Sequence, residues 1–149
     1  VNLEQIVLVV HGASTLMMAG LIWFVQVVHY PLFARVGAEG FPVYAGLHQR
    51  LTTRVVGPLM LAEAATAAWL TVRPPEGVPA ALPIVGLALV AVVWLSTAAL
   101  QVPCHRRLER GFDAAIGRRL VRSNWLRTIA WTARGVIALA LLLPWEPPA

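Results

Sequence analysis

His29, His48 and His105 each stand at the rim of a long apolar run, with Gln26 and Gln101 about one turn deeper in two of those runs. Three imidazoles gathered at one point could ligate zinc, copper or iron, and neighbouring amides could orient the rings. The chain has no HExxH or CxxCH motif, so spacing along the sequence does not set the distance between these rings. The competing reading is that each histidine meets water or lipid headgroups on its own. His11 lies inside the first apolar run beside Gly12 and Thr15. It is a candidate axial haem ligand or quinone contact, set against the plainer role of a histidine bonded to a nearby carbonyl.

Two charges sit deeper still. Glu63 and Arg134 fall near the middle of otherwise apolar runs, where an isolated charge costs several kcal/mol, so they are expected to pair directly or through a polar bridge. In a catalytic reading Glu63 relays a proton while Arg127 or Arg134 holds an anionic cofactor group. In a structural reading the pair only fixes how the helices face one another. Cys104 is the sole cysteine, which excludes an intramolecular disulfide, an iron-sulfur cluster and a CxxC redox pair within this sequence.

The elements that must position these residues follow from hydropathy. Of the 149 residues, 58% are hydrophobic and 13% charged, against roughly 25% charged in ordinary soluble domains. Ile6 to Val28 carries no acidic or basic charge, 55–72 is interrupted only by Glu63, Ala80 to Val102 is uncharged, and Ile129 to Trp145 contains only Arg134. Each is long enough, at about 1.5 Å per residue, to cross a hydrocarbon core of about 30 Å or close to it. No basic region precedes the first run, which reads as a retained span. The expected fold is all-α: a four-helix transmembrane bundle forming a single domain, with two short cytoplasmic-side interfacial helices over Phe41 to Thr53 and Leu108 to Leu120.

With four crossings, 29–54 and 103–128 share one face, which then carries every arginine except Arg73 and Arg134. The positive-inside rule makes that face cytoplasmic and puts both termini on the non-cytoplasmic side of a bacterial inner membrane. The net charge of +5 is laid out around apolar runs, without a base-stacking platform. Lipids are therefore the expected anionic neighbours and nucleic acid is not an expected partner.

Helical periodicity orients the spans. His11, Thr15, Met18, Ile22, Gln26 and His29 fall on one stripe of the first; His48, Thr52, Val56, Leu59 and Glu63 on one face of the second, if it runs through Gly57 and Pro58. Trp94, Thr97, Gln101 and His105 share a face of the third, and Asn124, Arg127, Trp131 and Arg134 a face of the fourth. Pro103 is expected to kink the third span. Tyr30, Tyr44, Trp69, Trp125 and Trp145 fall near span boundaries, as interfacial anchors do. The halves also echo each other, Gln26, His29, Phe41 and Glu63 finding counterparts in Gln101, His105, Phe112 and Arg134, as two parallel helical hairpins would.

His11, the Gly20-Leu21-Ile22-Trp23-Phe24 stretch, the Tyr30-Pro31-Leu32-Phe33 exit, Phe41, Arg50-Leu51 and Pro58-Leu59-Met60 together resemble small four-span membrane proteins that include the HemJ-type protoporphyrinogen oxidases. The resemblance implies a haem-associated role for His11. It covers the first part of the chain; Gln101 to His105 and Asn124 to Thr128 depart from the pattern. The leading expectation is a membrane oxidoreductase or redox-associated protein using haem or a transition metal, with His29, His48 and His105 as metal ligands, His11, Gln26, Gln101 and Arg127 near the cofactor, and Glu63 and Arg134 catalytic. The alternatives are an accessory subunit bound to other membrane-protein subunits and, less favoured, a small-molecule transporter.

Overall fold

The computed structural model describes residues 2–145. The described chain is all helix and turn. Helix α1 spans Leu3–Arg35, α2 Phe41–Val72, α3 Ala81–Leu108 and α4 Ala114–Ala140. The first three are long and apolar enough to cross a membrane. Helix α1 packs between α2 and α4, and α3 closes the ring against α4 and α2, so that α1 faces α3, and α2 faces α4, across the bundle axis.

Local chemistry explains the ends. Asn2 and Gln5 form a reciprocal capping box, Gln5 N–H donating to Asn2 Oδ1 at 2.9 Å and Asn2 N–H to Gln5 Oε1 at 3.0 Å. Between α2 and α3 the turn relies on Gly77, whose φ of 76° suits a residue without a Cβ, and on Val78 N–H donating to the Pro75 carbonyl. Asp113 caps α4, its Oδ1 accepting from Ala115 N–H at 2.7 Å and Ile116 N–H at 3.1 Å.

Neither interfacial segment is a helix of its own. Phe41 to Thr53 is the opening of α2, a continuous helix of 32 residues that runs straight through Gly57 and Pro58. At about 1.5 Å per residue such a helix exceeds a hydrocarbon core of about 30 Å by several turns, so its first part projects along the bundle instead of lying flat. Leu108 to Leu120 is divided. Gly111 adopts a φ of 143°, closed to residues with a Cβ, and Asp113 is extended at φ −118° and ψ 117°, so Leu108 ends α3 and Ala114 begins α4.

Helices α1 and α3 share a distortion that hydropathy does not reveal. Each widens into one π-turn, over Val25–His29 and Thr97–Gln101, where Tyr30 N–H donates to the Val25 carbonyl and Val102 N–H to the Thr97 carbonyl. In both, a proline follows immediately, Pro31 and Pro103. A proline inside a helix lacks the N–H for the carbonyl four residues back and presses its ring against it, and a widened turn relieves that clash. The expected distortion at Pro103 therefore lies in the turn before it.

Asp113 yields a local prediction. The backbone N–H groups of Ile116 and Ala115 hold its carboxyl below the usual carboxylate range. A depressed folded-state pKa means that the cap's stabilisation is present above the ordinary aspartate pKa and is lost as pH falls through the lowered one. Amide hydrogen exchange at Ala115 and Ile116 should therefore quicken in Asp113→Ala at neutral pH, and in the wild type only under acid, whereas Asp113→Asn should keep most of the protection.

Candidate functional site

The stripe predicted for α1 is buried over most of its length: His11, Thr15, Met18, Ile22 and Gln26 all lie in the interior. The α4 stripe is buried throughout, Asn124, Trp131 and Arg134 almost completely. On α3 the expectation fails at Trp94, which is 40% exposed, and Ser96 takes the inward place beside Val93.

The deepest polar layer joins three helices. Arg134 Nε on α4 donates to Glu63 Oε1 on α2 at 2.8 Å, both side chains being at most 2% exposed. Trp131, one turn earlier on α4, donates its indole N–H to the same carboxylate, at 3.0 Å to Oε2. Arg134 Nη1 donates to the backbone carbonyl of Gly86 on α3. His11 joins the layer from α1, its Nδ1 lying 2.9 Å from Thr66 Oγ1, while the Thr66 hydroxyl donates back to the Ala62 carbonyl at 2.7 Å.

A haem has no room at His11. The void beside its ring is about 10 Å³, enclosed by Ala67, Leu70, Pro83, Gly86, Ile137 and Leu141, and is about the size that holds one water. The space left by Gly12 is filled by Leu142, whose Cδ1 would stand 3.5 Å from a Cβ there. A macrocycle on His11 would have to part α1 from α4.

A second layer binds α1 to α4 through amides. Gln26 Oε1 accepts from Asn124 Nδ2 at 2.9 Å, and Gln26 Nε2 donates to the Val121 carbonyl at 3.2 Å. Gln101 accepts from Ser96 and donates to Ser123, each at 3.2 Å. Gln26 thus bonds to α4, Gln101 to its own helix and to α4, and neither hydrogen-bonds a histidine ring among the described residues. Arg127 donates to Asn124 Oδ1 at 3.2 Å and lies 5.1 Å from the Trp131 ring centre. It makes no ion pair among the described residues.

The third layer gathers the remaining histidines. His29 Nε2 and His48 Nδ1 are 2.8 Å apart, with Thr52 Oγ1 3.1 Å from the same His48 nitrogen. The ring centres of His29 and His48 are separated by 4.5 Å and those of His48 and His105 by 5.4 Å. His105 Nε2 meets the Tyr30 hydroxyl at 2.9 Å across the bundle diagonal. Phe33 packs edge-on to His29 and His48, and the Tyr44 ring stacks parallel to His48. A groove of about 270 Å³, walled in part by Leu21, Phe24, Leu51 and Val55, opens beside His29 and His48. Among the described residues no group of three or more His, Cys, Asp or Glu side chains is arranged to hold a metal ion, and the ring nitrogens of this layer bond to one another and to hydroxyls.

Two participants are not found by the sequence reading: Tyr30 reads there as an interfacial anchor, and Thr66 is not singled out; Trp131 lies on the inward stripe as expected, its bond to Glu63 being the addition. Tyr30 is buried and turned inward by the π-turn before it, which shifts the face it presents. The signal available in the sequence was Pro31. Compared with known protein families, with curated proteins and with solved structures, the chain matches none.

The buried pair predicts a cycle of variants. Arg134→Leu should lower stability by about 3–5 kcal/mol, since it leaves a buried carboxylate unpaired. The double variant Glu63→Leu with Arg134→Leu should regain most of that loss, short by about 1–2 kcal/mol for the orphaned Trp131 N–H. Reversible unfolding in mixed micelles measures both, and a double variant no better than the single one would contradict the pairing energetics.

Proposed function

We propose that this chain is a membrane redox protein whose working centre is the cluster of His29, His48, His105 and Tyr30, with a transition-metal ion as its cofactor. One observation supports the reading: the His48 ring lies between those of His29 and His105, close to both. Imidazoles on one tetrahedral metal at about 2.0–2.1 Å per nitrogen have ring centres about 5 Å apart, and the His48 ring centre lies 4.5 Å from that of His29 and 5.4 Å from that of His105. Ligation requires His48 to exchange its bonds to His29 and Thr52 for the ion. A bound iron or copper would supply one-electron chemistry; the chain itself contributes the Tyr30 hydroxyl on His105 and the Phe33 and Tyr44 rings packed against His48. The haem reading draws on the resemblance around His11, where the void beside the ring is about 10 Å³.

Four crossings belong to the same proposal. Helix α4 is less apolar than the others, but Arg127 and Arg134 are buried within the bundle and so do not meet the hydrocarbon. The arginines at the other end of α4 and around the histidine layer fit the cytoplasmic headgroups of an inner membrane. Topology reporters inserted at Gly77 and at Arg110 should report the outside and the cytoplasm, respectively; the reverse result would invert the orientation.

A second reading, an accessory subunit, is favoured by the way Gln26, Gln101 and Glu63 are spent on internal bonds that fix helix facing. Protein extracted in mild detergent and analysed for metal and optical absorption separates the two. The redox reading expects about one iron or copper ion per chain, lost in His48→Ala with the fold retained. Folded protein free of metal that also takes up none on reconstitution would sink it, and stoichiometric co-purification with another membrane chain would favour the second.

A further inference from the structure

The arginine-rich end carries a cavity that the histidine cluster does not use. It has a volume of about 390 Å³, within the range of small-molecule sites, and lies between the exit of α1 and the first turns of α4. Tyr30, Pro31 and Ala34 form one wall, Gly117 and Val121 the other, and Phe112 closes one end. Arg118 and Arg122 stand at its rim, and the same two arginines line an adjoining polar hollow with Arg119 and Ser123. An apolar channel therefore opens into a cationic mouth, with Trp125 exposed one turn further along α4.

We infer that this cleft binds one anionic phospholipid, its phosphate between Arg118 and Arg122 and part of an acyl chain along Pro31 and Val121. Charge complementarity selects the occupant. The mouth presents guanidinium groups, and no acidic residue lines either hollow. The other arginine-lined hollow at this end, around Arg50 and Arg54, includes Glu109 and lacks an apolar channel of this kind, so it offers a weaker hold on an anion. Gly117 sets the width: a Cβ there would come within 3.3 Å of Phe112 Cε2, so any larger side chain must displace that ring or enter the cleft. Tyr30 is shared with the histidine layer, lining the cleft while its hydroxyl meets His105. The inference rests on the placement of the arginine-rich end at the headgroups, and it holds with or without a metal at the histidines.

Native mass spectrometry of the full chain, released from nanodiscs holding phosphatidylglycerol and phosphatidylcholine with identical acyl chains, tests this. The wild type should retain about one phosphatidylglycerol, preferred over phosphatidylcholine by roughly tenfold to thirtyfold, as two surface arginines imply. Arg118→Gln with Arg122→Gln should bring the preference close to unity, while Arg50→Gln with Arg54→Gln leaves it unchanged. Gly117→Leu should reduce retention of both lipids; if that variant misfolds, Ala34→Phe fills the cleft from its open side. Equal retention of the two lipids by the wild type, a preference that survives loss of Arg118 and Arg122, or one abolished equally by loss of Arg50 and Arg54 would each overturn the site. Reporters at Gly77 and Arg110 distinguish failure of the cleft from failure of the membrane orientation beneath it.

Discussion

An ionised carboxylate buried where water cannot reach it must be answered by a positive charge at the same depth, and Glu63 on α2 is answered from across the bundle axis by Arg134 on α4. Because the same guanidinium also holds the Gly86 carbonyl, one side chain ties α2, α3 and α4 together. Thr66, a turn beyond Glu63, then brings in α1 through His11. Once Glu63 faces inward, the rotation of α2 is set along its whole length. His48 lies about 22 Å further along that helix at 1.5 Å per residue, and its inward placement is a consequence of the same rotation. The histidine layer at one end thus depends on a charge pair several turns away.

The layers divide the work. The charge layer and the amide layer are nearly closed systems in which Glu63, Gln26, Gln101 and Asn124 find partners on neighbouring helices. The histidine layer differs in kind. Its rings exchange hydrogen bonds through groups that can donate or accept, and it lies beside an opening at the bundle surface. Closed polar networks hold a packing arrangement, whereas ambivalent donors near an opening can change partners, which is why the proposed chemistry is assigned to the histidines.

Much of this was legible in the sequence, for identifiable reasons. Charges are so scarce in the apolar runs that Glu63 and Arg134 almost had to meet, and the regular 100° step placed the α1 and α4 stripes. What was not legible depended on departures from that step. The π-turns rotate Tyr30 toward His105, and nothing in residue type alone distinguishes that tyrosine from an interfacial anchor. The continuity of α2 through Gly57 and Pro58 contradicts the usual weight given to proline, because packing along the bundle supports the helix on either side. Trp94 was misplaced because a period of identical steps was carried across Thr97–Gln101, where the step changes. The echo between halves has a counterpart in space: Phe41 meets Phe112 with ring centres 5.0 Å apart, just as Glu63 meets Arg134. Residues at matching positions of two hairpins related by an axis along the bundle would meet their counterparts on that axis.

The paired π-turns have a consequence for how such a chain can vary in length. A π-turn is a helix that has taken in one surplus residue and absorbed it locally, so the segments before and after keep the facing that a shorter helix would give them. Removing a single residue from Val25–His29 and another from Thr97–Gln101 would return both helices to regular winding without swinging the downstream rings out of register, at the cost of pressing Pro31 and Pro103 against the carbonyls that the widened turns now spare. Elsewhere in a helix the same deletion turns everything beyond it by about 100°.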